Sequence, residues 1–288
     1  MSVSEAAARP SPGFQRLRAG ARAITGRTGL WIGASLFALL VLFALLGPLL
    51  IPADPLKTNP VEALHGPSLA HPFGTDFYGR DVLARVADAS RRDLLIPALI
   101  VLAAASIGTL AGVLAGFLGT WVDQVVMRVT DVVLSFPSLL LALVIVAAIG
   151  NSVTVVVLAL ATAHTPYFIR ITRSRVLSER TIEYVDAAVT VGNPRWRVGL
   201  RHVLPNSLSP TLAQATLAFG WAVLDTAGLA FLGVGITAPT PEWGLMVGEG
   251  TRDVLSGVWW TSTIPGLFIL LLVMSAVLTG SGLRERRR

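Results

Sequence analysis

The sequence predicts an all-α, polytopic membrane protein with six transmembrane helices and both termini in the cytoplasm. Three observations lead there. Of 288 residues, 53% are hydrophobic and only 14% charged, against about a quarter charged in an ordinary soluble domain. Charge-free runs long enough for a helix to cross a hydrocarbon core of about 30 Å recur along the chain. The basic residues are also shared unequally between the connecting segments. A mean hydropathy of +0.68 excludes a disordered chain, and no strict Gly period supports a collagen-like one. Cysteine is absent, which removes disulfides, thiolate chemistry, iron–sulfur clusters and cysteine-based zinc sites together.

The charge-free runs are residues 30–51, 94–121, 132–169, 203–224 and 254–283. The third, at 38 residues, is too long for one span, and the turn signal Gly150-Asn151-Ser152 divides it, giving six spans. Residues 1–29 are Arg-rich, broken by Gly, Pro and Ser, and lack apolar periodicity, so they read as a solvated cytoplasmic tail beside anionic lipid headgroups. Residues 30–51 exceed the roughly 7–15-residue core of a signal peptide and end in no Ala-x-Ala site, so they read as a retained first span. Residues 52–93, with Pro52, Pro55, Pro60, Pro67 and Pro72, form an external cap too proline-broken for long helices. Residues 94–283 are the core transmembrane domain, and 284–288 a cytoplasmic tail. Lys and Arg accumulate on the cytoplasmic side, and placing the N-terminus inside puts 17 of them there against six outside.

One cytoplasmic segment, residues 177–206, is charged yet still periodic. Ile182, Val185 and Val189 share one helical face. Gly192 can end a first helix in the left-handed conformation, Asn193 can cap a second, and Pro194 suits its first turn, where a missing N–H costs nothing. The result is an elbow closed by Leu204-Pro205. Ala187 and Ala188 leave a low-profile surface beside an acidic stripe of Glu179, Glu183 and Asp186, a shape fit to enter a partner's groove.

These residues resemble the signature of the permeases of bacterial ATP-binding cassette importers: Glu-Ala-Ala, three residues, Gly, nine residues, then Ile-x-Leu-Pro. Asp186 stands in for the glutamate and His202 for the isoleucine, while Ala187, Ala188, Gly192, Leu204 and Pro205 keep the spacing. His71-Pro72-Phe73-Gly74-Thr75-Asp76 with Gly79-Arg80-Asp81-Val82-Leu83, and Phe231-Leu232-Gly233-Val234-Gly235 with Pro239-Thr240-Pro241-Glu242-Trp243-Gly244, are similar to stretches of the dipeptide/oligopeptide/nickel permeases. The resemblance implies the type I importer permease fold and a C-type subunit in the bacterial cell membrane. It implies as partners a second, related permease subunit in a heterodimer, two ATPase subunits that bind ATP and Mg, and an external solute-binding lipoprotein. Within that family the elbow couples ATPase closure to the spans.

An independent argument places ATP hydrolysis elsewhere. A phosphate-binding loop needs G-x-x-x-x-G-K-[ST], and Lys57, the sole lysine, has no glycine in the six residues before it. This chain therefore carries no cofactor and is not the enzyme of the machine. The four histidines, His65, His71, His164 and His202, lack the i, i+4 spacing of a helical metal pair, so no metal centre is expected and His71 and His202 read as structural. Arg170, Arg173 and Arg175 hug a span end without interleaved aromatics, which fits positive-inside bias rather than nucleic-acid binding.

Several residues keep two readings. Asp225, at the end of the fifth span, is either a polar contact on the translocation path or permease–permease seam, or a carboxylate satisfied by Thr226 or by backbone. Asp76, Arg80 and Asp81 form either a hydrogen-bonded cap or a docking surface for the binding protein. Residues 236–256, with Glu242 and Trp243, contribute to an external gate, receive the binding protein, or anchor at the interface. A gradient-driven secondary transporter with Asp225 as its ion or proton site is the alternative function; it accounts for the carboxylate but not the elbow. An intramembrane enzyme lacks a nucleophile–base pair at membrane depth.

Overall fold

A computed structural model describes residues 27–179 and 204–285. Eight α-helices account for most of them: α1 (Arg27–Leu50), α2 (Val82–Leu118), α3 (Thr120–Leu134), α4 (Ser138–Ile149), α5 (Val153–Glu179), α6 (Leu204–Phe231), α7 (Trp243–Val254) and α8 (Trp260–Glu285). Among the described residues the only extended pairing is an isolated bridge between Thr75 and Asp81. By length and apolarity α1, α2, α5 and α8 can each cross a bilayer, and the bent pair α3–α4 makes a fifth candidate.

The helices depart from the sequence expectation at three places. First, α2 starts at Val82, inside the segment expected to be a cap, and runs for 37 residues, about 55 Å. Its charged first third is helical because protein groups satisfy it: the Asp81 side chain caps the start by accepting from Ala84 N at 2.7 Å, and Arg91 donates to Ala44 O at 2.9 Å on α1. Second, the run expected as a third span from residue 132 is broken at Ser135-Phe136-Pro137, where α3 and α4 meet at 91°. Pro137 lacks an N–H and disfavours helical geometry at Phe136. The expected break at Gly150-Asn151-Ser152 is also present, between α4 and α5. Third, α5 continues ten residues past the apolar run to Glu179, with Arg173 paired to Asp123 and Arg170 to Asp131 at 2.7 Å, so these arginines tie α5 to α3.

Two apolar clusters hold the helices. Ile100 and Ala104 of α2, Ala142 and Val146 of α4, Leu160 and Phe168 of α5, and Ala222 and Leu229 of α6 form one. Leu40 of α1, Val82 and Val86 of α2, Trp243 and Met246 of α7, and Leu272 of α8 form the other. Lipid-facing helices gain little from apolar burial alone, so close backbone approach carries more of the association. Such an approach joins α2 to α5. Gly108, Gly112 and Gly116 recur at four-residue steps, and a Cβ at these positions would lie 2.5 Å from Phe168 Cβ, 2.8 Å from Ile169 O and 2.7 Å from Val176 Cγ1 respectively.

Residues 51–81 fold over the N-terminal end of α2. Gly79 adopts φ +70°, and a Cβ there would stand 1.8 Å from Asn59 O, so the turn admits no side chain. Trp260 Nε1 at the start of α8 donates to Thr75 O at 3.0 Å, tying this segment to the last helix.

Candidate functional site

The elbow residues Glu183, Asp186, Ala187, Ala188, Gly192, Asn193 and Pro194 lie outside the described residues. Leu204 and Pro205 open α6. The other expected site residues fall into three groups.

The first is a charged cluster beside the start of α2. Asp76 Oδ1 accepts from Tyr78 N and Arg80 N, both at 2.9 Å, and its Oδ2 accepts from Arg80 Nε at 2.6 Å. Arg80 Nη2 reaches Glu249 Oε2 on α7 at 3.1 Å. Arg85, which the sequence reading passed over, donates to the same Glu249 oxygen at 3.2 Å and to Pro239 O at 3.3 Å. Asp81 is occupied as the cap of α2 and meets His71 Nδ1 at 2.7 Å, which gives His71 the structural role expected of it. Arg80, Asp81 and Arg85 are all buried, so their side chains hold the cap to α2 and α7. Around them lies a cavity of about 390 Å³, lined also by Phe77, Tyr78, Arg252 and Asp253. Phe77 and Tyr78 are the exposed side chains of this turn.

The second group is the start of α7. Glu242 and Trp243 are wholly buried, so neither side chain offers a surface to a docking protein or sits as an interfacial anchor. Glu242 Oε2 caps α7 by accepting from Leu245 N at 2.6 Å. Trp243 Nε1 donates to Val86 O at 3.0 Å, its ring packs against Phe268, and its backbone N–H donates to Asp93 Oδ2 at 3.2 Å. The sequence could not give this burial, because the enclosing partners Val86 and Asp93 lie about 150 residues earlier. Glu242 Oε1 has no donor among the described residues, while the Asp93 carboxyl stands within hydrogen-bonding reach of Glu242. Two carboxyls can share such a bond only when one is protonated.

Burial raises the Glu242 carboxyl above its ordinary value, against the opposing hydrogen bonds from Asp93, Leu245 and Gly244. A value raised in the folded state means that protonation favours the fold. That stability is complete below the unfolded value of 4.5 and is lost as pH rises through the folded one. Glu242→Gln keeps the capping oxygen and supplies a donor toward Asp93. It should therefore stabilise the protein at pH 8 by about 1–3 kcal/mol. The gain should shrink toward pH 4.5, as thermal melting across that range would show; an equal gain at both ends would contradict the assignment.

The third group lies between the helices. Asp225 of α6 pairs with His164 of α5, Nε2 to Oδ2 at 3.0 Å, with side chains only 5% and 14% exposed. Of the readings weighed for Asp225, satisfaction by Thr226 does not hold: Thr226 Oγ1 donates instead to Ala222 O at 2.6 Å. No group of three or more His, Cys, Asp or Glu among the described residues could hold a metal ion.

These helices match known proteins over most of the chain. Residues 108–286 match the family described as the binding-protein-dependent transport system inner membrane component. The chain belongs to that family. The dipeptide transport system permease protein DppC of Alkalihalophilus pseudofirmus is 41% identical over 254 residues, covering 88% of this chain and 83% of that one. The di/tripeptide transport system permease protein DppC of Pseudomonas aeruginosa is 40% identical, covering 88% and 86%. The glutathione transport system permease protein GsiD of Pectobacterium atrosepticum is 35% identical, covering 88% and 85%. As an inner membrane component of a binding-protein-dependent transport system, the chain is a bacterial multi-pass permease subunit. Glu242, Trp243, Glu249, His164 and Asp225 lie within the matched residues, whereas Asp76, Arg80, Asp81 and Arg85 precede them.

Proposed function

We propose that this subunit forms half of the translocation pathway of an ATP-driven importer for short peptides or a closely related solute. The observation that carries the proposal is the 41% identity to a dipeptide permease, which spans 88% of the chain. The dipeptide, di/tripeptide and glutathione names of the relatives support a short peptide as the solute.

In this reading the second half of the pathway is a related permease subunit, and two ATPase subunits, which bind ATP and Mg, dock on the elbow at 177–206. An external solute-binding lipoprotein delivers the peptide. Six spans with both termini inside follow if α3–α4 counts as one bent span and α6, 28 residues long, as another. The charged cluster around Asp76, Arg80 and Glu249 then stands outside, with its exposed Phe77-Tyr78 turn toward the arriving protein. Closure of the ATPases moves the elbows as rigid bodies and exchanges inward-open for outward-open access. No observation favours the gradient-driven alternative.

Purification in mild detergent tests the reading: both ATPases should copurify with the subunit, and Gly192→Pro should release them. The whole complex in liposomes should take up a labelled dipeptide only with ATP and the binding protein. Uptake by the isolated subunit driven by a proton or sodium gradient would overturn it.

A further inference from the structure

We propose that His164 and Asp225 form a polar clamp that makes α5 and α6 one mechanical unit, so that a push on residues 180–203 displaces both helices together. The inference rests on the function proposed above, in which that segment receives the motion of the ATPases. The chain itself supplies the reason a clamp is needed. α5 ends at Glu179 and α6 begins at Leu204, so both helices are direct continuations of the segment that is pushed. Two helices held by apolar contact alone could splay or slide, because lipid competes for apolar surface on equal terms.

A directional bond between an imidazole and a carboxylate resists both motions. His164 Nε2 and Asp225 Oδ2 are 3.0 Å apart and largely enclosed by protein, where a hydrogen bond between an imidazole and a carboxylate is little diluted by water. A second tie lies eight residues further along α5, about 12 Å away: Thr172 Oγ1 and Thr211 Oγ1 are 3.4 Å apart, both buried. The His164–Asp225 bond is the directional tie, and the longer threonine contact marks a second level at which the two helices touch. His164 is thus a positioning residue acting through Asp225, and neither needs to touch the transported solute.

The test uses the assembled transporter in lipid nanodiscs and liposomes, with wild-type ATP hydrolysis in response to binding protein as the separate check on the proposed function. This chain has no cysteine, so once any cysteines of the partner subunits are replaced, Leu158→Cys on α5 and Leu224→Cys on α6 carry the only spin labels. With the clamp intact, the distance between the labels should be narrow and shift by less than about 2 Å between nucleotide-free and nucleotide-trapped complexes. A shift of a whole helical turn, about 5 Å, would overturn the proposal without reference to any variant of the pair. The double variant His164→Leu with Asp225→Leu leaves no orphaned polar group, so the complex should still assemble and hydrolyse ATP. Its peptide uptake per ATP should fall at least tenfold and its label distance should broaden, while His164→Gln, which keeps a donor near Nε2, should recover most of the coupling. Wild-type uptake per ATP in an assembled double variant would show that the pair has only a packing role.

Discussion

Replacing Gly112 with valine should remove most of the folded subunit from the membrane. Even the first added carbon would stand 2.8 Å from both Ile169 O and Thr172 Cβ and 3.1 Å from Arg173 N. Two of these are backbone atoms in the middle of α5, which cannot turn aside as a side chain can. Relief requires α2 and α5 to separate, and that also loosens the contacts at Gly108 and Gly116. Overpacking a close interface costs about 1–3 kcal/mol, and valine brings two further methyl groups into the same gap. Fluorescence-detected gel filtration of the tagged subunit should show the monodisperse peak reduced several-fold, and Gly112→Ala should fall between valine and wild type. Gly220→Ala is the matched control, since its Cβ would meet Ala276 Cβ at an ordinary 3.6 Å. Equal peaks for Gly112→Val and Gly220→Ala would refute the backbone contact.

Arg85→Met should be nearly as damaging, for an electrostatic reason. Arg85 is only 1% exposed and meets Glu249, Asp76 and the Pro239 carbonyl, with Pro55 O at the limit of hydrogen-bonding distance. It thereby joins α2, α7, the loop that precedes α7 and the cap. Removing one partner of a buried pair costs about 3–5 kcal/mol because the other charge stays behind. The Glu249 side chain is 27% exposed and keeps Arg80, so the lower end of that range is expected. Arg85→Lys should recover part of the loss, since an ammonium cannot span the same set of acceptors as a guanidinium. Arg85→Met combined with Glu249→Met should be less harmful than Arg85→Met alone. Melting temperatures of the purified complex would check the order; a double variant less stable than the single would contradict it.

The parts of this fold that the sequence makes legible are those fixed by local chemistry. Gly150-Asn151-Ser152 separates α4 from α5, because a turn is written within a few residues. Two further local signals are written in the sequence: Pro137, which bends α3 against α4, and the Gly108, Gly112, Gly116 spacing that marks the α2–α5 seam. Counting charged residues as outside a span puts the start of α2 too late, whereas Arg91 donates to Ala44 O on α1 and Arg92 pairs with Asp88 one turn back on α2 itself.

The candidate site was legible as a set of residues and less so as an arrangement. Asp76 and Arg80 were found, yet their link to Arg85 and Glu249 needs α7 folded back over α2. Asp225 was singled out by its cost in an apolar helix, but His164 lies 61 residues away and nothing in either stretch names the other. Glu242 and Trp243 read as exposed because they follow a proline-rich polar loop; their burial is a property of the surface that receives them.

The length of α2 sets the shape of one face of the molecule. A rod of about 55 Å in a hydrocarbon layer of about 30 Å leaves some 20 Å beyond that layer, even when inclined by about 20°, and part of it clears the headgroups. The 51–81 segment and α7 lean on this mast, so the subunit wears a low rampart of polypeptide on that side. In the topology proposed above, a soluble partner arriving on that side meets this rampart, whose height is the length of the rod less the thickness of the host membrane.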